Sequence, residues 1–293
     1  MLVTVMKIAH LILAHNNPKQ LEQLIRRLTY ADDAVYVHLD KKTSMLPYQH
    51  LAELDNVHFV ANRVTVKWGA YSIVEATLQG FKAILNSRVD YNFVNLLSGC
   101  DYPLQTPAHI HHFLQENKGK AFMSYLPIQT EWQEALPRIE AYHLTNYSFT
   151  GCHAVQKMLN IFLPKRKMPG GLVPVGRSQW FTAPLECIKY IVDYIECNDD
   201  LRHFMKLTWG PDEFIFQTIL YNSHFRGKIV NTNLRYIDWS AGGASPKTFT
   251  IADKDALLSS KKLYARKFDI INHADVMEEI DLKLDNKGEL LSA

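Results

Sequence analysis

The sequence predicts an α/β fold with a mainly parallel central sheet flanked by helices. Three observations carry this. Apolar runs of strand length alternate with helix-period segments through the first third of the chain. Polar residues gather where those runs end. Of 293 residues, 47% are hydrophobic, enough for a sizeable core.

The elements follow in order. Residues 7–14 form a nearly continuous apolar run, read as a first strand. Pro18 opens a helix with Leu21, Leu24, Ile25 and Leu28 at helical spacing. Residues 34–39 and 57–60 read as strands, residues 72–85 as a helix, and residues 91–97 as a fourth strand. Pro127, Pro137, Pro164, Pro169 and Pro174, with Gly170-Gly171, predict a long loop with short helices over 127–175. Its stretch 164–175 is expected to be mobile, and the basic cluster Lys165-Arg166-Lys167 to be a solvated loop. Helix patterns return at 185–195, 212–221 and 256–263, with short apolar runs near Ile229 and over 234–239. No repeat or clean boundary appears, so residues 1–293 are expected to form one domain.

Composition excludes several classes. Lys plus Arg total 32 against 30 Asp plus Glu, a formal net charge of +2, which argues against a nucleic-acid-coating protein. Cys100, Cys152, Cys187 and Cys197 form no Cys-x-x-Cys pair and read as reduced thiols, which favours a cytoplasmic setting over a disulfide framework. No apolar run is long enough to span a bilayer, and the first residues lack the features of a signal peptide. The first strand begins near Met6, which leaves the preceding residues as an alternative start. No phosphate-binding Gly-rich loop, dinucleotide fingerprint or Gly-x-Ser-x-Gly elbow is present.

In open α/β sheets, ligands bind at the carboxyl ends of strands. Three such ends carry polar residues: Ala14-His15-Asn16, His38-Leu39-Asp40 and Ser98 to Asp101. Polar residues also simply cap strands, so position alone leaves both readings open.

Six stretches are more informative together: Lys67-Trp68-Gly69-Ala70-Tyr71-Ser72, Ser98-Gly99-Cys100-Asp101-Tyr102-Pro103, Gly176-Arg177-Ser178-Gln179-Trp180-Phe181, Pro211-Asp212-Glu213, Arg235-Tyr236-Ile237-Asp238-Trp239 and Tyr264-Ala265-Arg266-Lys267-Phe268. In order and spacing they resemble the core-2/I-branching β-1,6-N-acetylglucosaminyltransferase family, which includes the peptide O-xylosyltransferases, over about residues 7–268. Compact bacterial members are the nearer likeness.

The resemblance implies a GT-A-like fold. About residues 1–125 would hold the nucleotide, and about 126–293 the acceptor and the catalytic base. It implies inverting transfer from a UDP-sugar, UDP-N-acetylglucosamine first and UDP-xylose as the alternative, to a glycan hydroxyl in bacterial surface polysaccharide or lipopolysaccharide synthesis. A catalytically inactive glycan- or nucleotide-binding protein is the rival of another class. No metal and no other cofactor is expected. The strand-end turn offers Asp101 with no second carboxylate two residues away, and Asp253-Lys254-Asp255 reads as a helix cap. Nucleic acid is not an expected partner; a lipid-linked acceptor would bring the chain to the inner face of the membrane.

The roles implied by the resemblance are these. Glu213 is the general base; its plain alternative is complementing a helix dipole. Lys267 meets the leaving diphosphate, with Arg266 beside it and Lys247 as the nearest substitute for a second cation; Lys267 could otherwise be a surface lysine. His15, Asp40 and Trp68 fall on the uridine side. Trp239 and Trp180 fall on the acceptor side, where either could instead be core. Asp101 is placed on the acceptor side too, with holding the turn as its alternative.

Overall fold

The computed structural model describes residues 6–292, and their side chains as far as residue 286. The alternative start before Met6 lies outside the described residues.

The first half follows the predicted alternation: β1 (Ile8–Ala14), α1 (Pro18–Leu28), β2 (Ala34–Leu39), β3 (Val57–Phe59), α2 (Ser72–Asn86) and β4 (Phe93–Ser98). Beyond it lie β5 (Asp101–Pro103), α3 (Pro107–Glu116), β6 (Ala121–Pro127), α4 (Leu136–Glu140), α5 (Cys152–Phe162) and β7 (Val175–Pro184). Then come α6 (Leu185–Glu196), α7 (Asp199–Lys206), α8 (Ile215–Tyr221), β8 (Ile229–Val230), β9 (Arg235–Ile237), α9 (Lys254–Ser259), β10 (Tyr264–Arg266) and α10 (Ala274–Ser292).

Seven strands form the main sheet in the order β3-β2-β1-β4-β7-β6-β8, and β5-β10-β9 form a small second sheet. In the main sheet only β7 runs against its neighbours β4 and β6; every other pairing is parallel. The mainly parallel sheet is therefore as predicted. Strands β1, β2 and β4 are buried along almost their whole length, as the continuous apolar runs require of strands covered on both faces.

Two apolar layers cover the sheet. Leu21, Leu24 and Ile25 of α1 pack on one face with Phe93, Phe268 and the start of α10. Phe81 of α2 packs on the other with Phe181 and Phe216, their ring centroids 5.7–6.1 Å apart. Among the described residues no helix is long and apolar enough to cross a membrane.

Three expectations need correction. The 212–221 helix is two pieces: a 3-10 turn at Pro211–Glu213, a break at Phe214 (φ −140°), and then α8. The stretch 127–175 contains the eleven-residue α5. The basic cluster is not simply a solvated loop, because Arg166 is buried. It donates to the carbonyls of Ala141 (2.9 Å), Phe204 and Leu207 and to Thr208 Oγ1 (3.0 Å). These bonds pin residue 166 rather than leaving it mobile. Burial lowers the Arg166 pKa to about 10, which leaves it charged at neutral pH.

Candidate active site

The site is built on the edge where β1, β2 and β4 end. The loop after β3 crosses this edge and ties the ends together. Arg63 donates to the carbonyls of Leu39 (2.9 Å) and Asp40 (2.7 Å), and His38 Nε2 accepts the Val64 N–H at 3.0 Å. The Asp40 N–H returns to the Ala14 carbonyl at 2.8 Å. The Asp40 carboxylate accepts the Lys42 N–H at 2.9 Å and lies 3.5 Å from the Lys42 ammonium. His15, on the neighbouring strand end, has its pKa lowered, chiefly by burial; Asp40 pulls it up, and Lys42 and Arg266 push it down. Trp68 closes this side, 65% exposed, with its ring set edge-on to Trp209 at 5.5 Å.

Asp101 corrects one expectation. Its side chain is 0% exposed, so a glycan cannot reach it in this arrangement. It accepts the Ser98 N–H at 3.0 Å and the Arg266 guanidinium at 2.9 Å, which makes it the staple of the strand-end turn. Burial pushes its pKa up against the pull of those two partners. Arg266 takes part in the same staple: its Nη1 donates to Asp101, and its guanidinium lies 4.6 Å from the Trp180 ring centre. Trp180 is half-buried and faces that cation.

Glu213 sits on the 3-10 turn after Gly210, whose positive φ of 61° and N–H to the Gly69 carbonyl (2.7 Å) set the turn beside Trp68. Gly176, at the start of β7, lets the turn approach, because a Cβ there would collide with Phe214 and with the Glu213 carbonyl. Glu213 does not cap α8. Its Oε2 is bonded by Arg138 Nη1, and its side chain is 34% exposed. Arg138 in turn lies 4.4 Å from the Trp209 ring centre and 4.8 Å from that of Trp132. Trp68, Trp209, Arg138 and Glu213 thus form one continuous chain of contacts. Asp212, next to the base, is buried, and its Oδ1 has no partner among the described residues. Its pKa is pushed up to about 7, by burial first and then by the Glu213 charge.

Lys267 and Lys247 lie side by side, with the Lys267 N–H on the Lys247 carbonyl at 3.4 Å. Their ammonium groups differ. Lys247 is held by Asp253 at 2.6 Å, inside the Thr250–Asp253 capping box of the 3-10 turn that precedes α9. Among the described residues, Lys267 meets only the Ser245 hydroxyl, at 3.4 Å. Trp239 is 54% exposed at the start of the loop that leads to Lys247.

Sequence reading did not find Arg138, Trp209 or the burial of Asp212. Trp209 directly precedes the Gly-Pro-Asp-Glu stretch and could have been found there. Arg138 lies in the stretch read as loop and carries no local signal.

A carboxylate held by arginine, an aromatic wall and a lysine stand at the carboxyl-end edge of a mainly parallel sheet, the place where open α/β sheets bind ligands. The sequence model of the Core-2/I-Branching enzyme family matches residues 8–258, and the chain belongs to that family. It is 28% identical to Xylosyltransferase 2 of Rattus norvegicus, over 95% of this chain and 34% of that one. It is 26% identical to Xylosyltransferase oxt of Drosophila pseudoobscura pseudoobscura, over 89% and 31%. The chain thus spans about a third of the length of the curated relatives it matches. Among solved structures, the apo form of mouse Xyloside xylosyltransferase 1 aligns over 88% of this chain and 97% of that one, with 12% identity and a TM-score of 0.38. The family assignment rests on the sequence match.

Proposed function

We propose that the chain is an inverting glycosyltransferase with a GT-A-like fold, which moves a sugar from a UDP-sugar to a hydroxyl of a glycan. The observation that carries this is the state of Glu213. Arg138 fixes one carboxylate oxygen, and the other, Oε1, has no partner among the described residues. A carboxylate so held is oriented and open on one side, as a general base must be.

In this reading the acceptor hydroxyl gives its proton to Glu213 Oε1 while its oxygen attacks the anomeric carbon. The bond from that carbon to the diphosphate breaks, and the electron pair leaves with UDP. Lys267 supports the charge that grows on the leaving group, an interaction stronger in the transition state than in the ground state. The Asp101 carboxylate is already taken by Arg266 and the Ser98 N–H. That supports neutralisation of the diphosphate by lysine rather than by a metal. His15, Asp40 and Trp68 form the nucleotide side, and Trp239 with Trp180 the acceptor side.

The donor sugar is the finer question. The relatives named xylosyltransferases favour UDP-xylose over the UDP-N-acetylglucosamine that the sequence reading put first. UDP release, measured with each donor over a panel of glycan and serine-peptide acceptors, with and without EDTA, tests the proposal. The expected result is turnover with one of the two donors, unchanged by EDTA. Loss of turnover in EDTA that Mn²⁺ restores contradicts the lysine-based reading. UDP binding without turnover on any donor favours the inactive binding protein.

A further inference from the structure

Helix α5 is amphipathic in the reverse sense. Its polar side faces the protein. Gln156 Oε1 accepts the Leu144 N–H at 2.8 Å. Asn160 accepts the Tyr142 N–H at 2.7 Å and donates to the Tyr142 carbonyl at 2.8 Å. The apolar side, Val155, Met158, Ile161 and Phe162, points away from the body. None of the helix's residues is buried, and Ile161 and Phe162 are 63% and 76% exposed. Surface helices of soluble proteins normally turn their apolar stripe inward. Exposed Leu163 continues this face, and Tyr147 and Phe149 stand exposed on the loop before it.

The lysines along this face carry the charge that stands free at it, since Arg166 is buried and Arg177 lies 3.9 Å from Glu134. No Asp or Glu occurs between residues 141 and 185, while Lys157, Lys165, Arg166, Lys167 and Arg177 do. Lys157, Lys165 and Lys167 are exposed near the apolar residues, and only Lys165 has an acidic neighbour, Glu140 at 2.5 Å. A second copy of the chain would bring these cations against their like. A polysaccharide would leave the aliphatic residues unused. An anionic lipid surface satisfies both, since apolar side chains enter the acyl boundary while lysines meet the headgroups.

We propose that α5 and its flanking loops dock this protein on an anionic membrane surface. The docking face is fastened to the candidate site, because the Lys67 ammonium, beside Trp68, bonds the Asn146 carbonyl at 3.2 Å and the Ser148 hydroxyl at 2.7 Å. Docking would set the mouth of the site near lipid-borne acceptors, but the proposal stands whether or not the transfer reaction does.

Flotation of the purified chain with vesicles tests it, using phosphatidylglycerol mixed with phosphatidylethanolamine against pure phosphatidylcholine. The bound fraction should be roughly tenfold higher on the anionic vesicles and fall as salt is raised. Ile161→Ser/Phe162→Ser should lose roughly tenfold or more of that binding, and Lys157→Glu/Lys167→Glu should lose it selectively at low salt. All four side chains are exposed, so melting temperature and UDP binding should stay as in the parent chain. No flotation on anionic vesicles, or flotation of the Ile161→Ser/Phe162→Ser variant equal to the parent, overturns the proposal. So does a dimer in light scattering that this variant dissolves, which would assign the face to a second copy.

Discussion

Two arginine–carboxylate pairs stand at the same edge of the sheet, and they do opposite things. Arg266 and Asp101 form a closed pair: the carboxylate is fully buried and both of its oxygens are used. Arg138 and Glu213 form an open pair: the carboxylate is a third exposed and one of its oxygens has no partner among the described residues. The lesson is that pairing with arginine does not separate a structural carboxylate from a chemical one. The number of uncommitted lone pairs facing solvent does. Lys247 and Lys267 repeat the contrast with the sign reversed, since Asp253 takes up the first and the second stays open.

Breaking the closed pair gives the largest expected change. Asp101→Ala leaves the partly buried Arg266 and the Ser98 N–H without their partner, a loss of up to about 3 kcal/mol in folding stability by urea titration. UDP affinity in the fraction that stays folded should hold. If Asp101→Ala folds as well as the parent but fails to bind acceptor, the two pairs are not different in kind.

Lysine substitution sharpens the comparison next. Lys267→Ala should lower turnover by roughly 10²-fold or more, the scale for removing a charge-stabilising group from a transition state. Lys247→Ala should leave stability nearly unchanged, because its pair with Asp253 lies at the surface, and cost only a few-fold in rate. Equal rate losses would mean that Lys247 releases Asp253 for the diphosphate.

A smaller effect belongs to Asp212. Its folded pKa, near 7, lies above the ordinary carboxylate value, so the fold favours the protonated form. The stability this contributes is full below about pH 4 and is lost as pH rises through about 7. Relative to Asp212→Asn, the parent should therefore weaken between pH 4.5 and 7.5, by a few kcal/mol at most. Glu213→Gln should shift that loss to lower pH, because the Asp212 charge then forms without a neighbour of like sign. A flat difference across this range would show Asp212 ionised throughout.

Much of this was legible in the sequence. Buried parallel strands must be apolar throughout, so β1, β2 and β4 announced themselves, and the polar strand ends located the edge. The Pro-Asp-Glu stretch pointed to Glu213 only through the family resemblance, since position alone fitted a helix-dipole role as well. Other elements lacked the needed signal. In α3, Pro107 and three histidines obscure the apolar spacing of Ile110 and Leu114. Helix α7 is short and mostly polar, and only Leu201, Phe204 and Met205 are buried. Helix α5 turns its apolar side outward, so its pattern describes no core. The role of Arg138 depends on a partner 75 positions away, which local spacing cannot reveal. Asp101 was visible, but its burial, which decides its role, arises only when β5 pairs with β10.

The most direct test of the open pair is Glu213→Gln, followed by calorimetric UDP binding and by single-turnover transfer on the same preparation. The glutamine keeps the shape and cannot take the proton. UDP should bind as to the parent chain while transfer falls by about 10²–10⁴-fold. Transfer within a few-fold of the parent would contradict the assignment of the base.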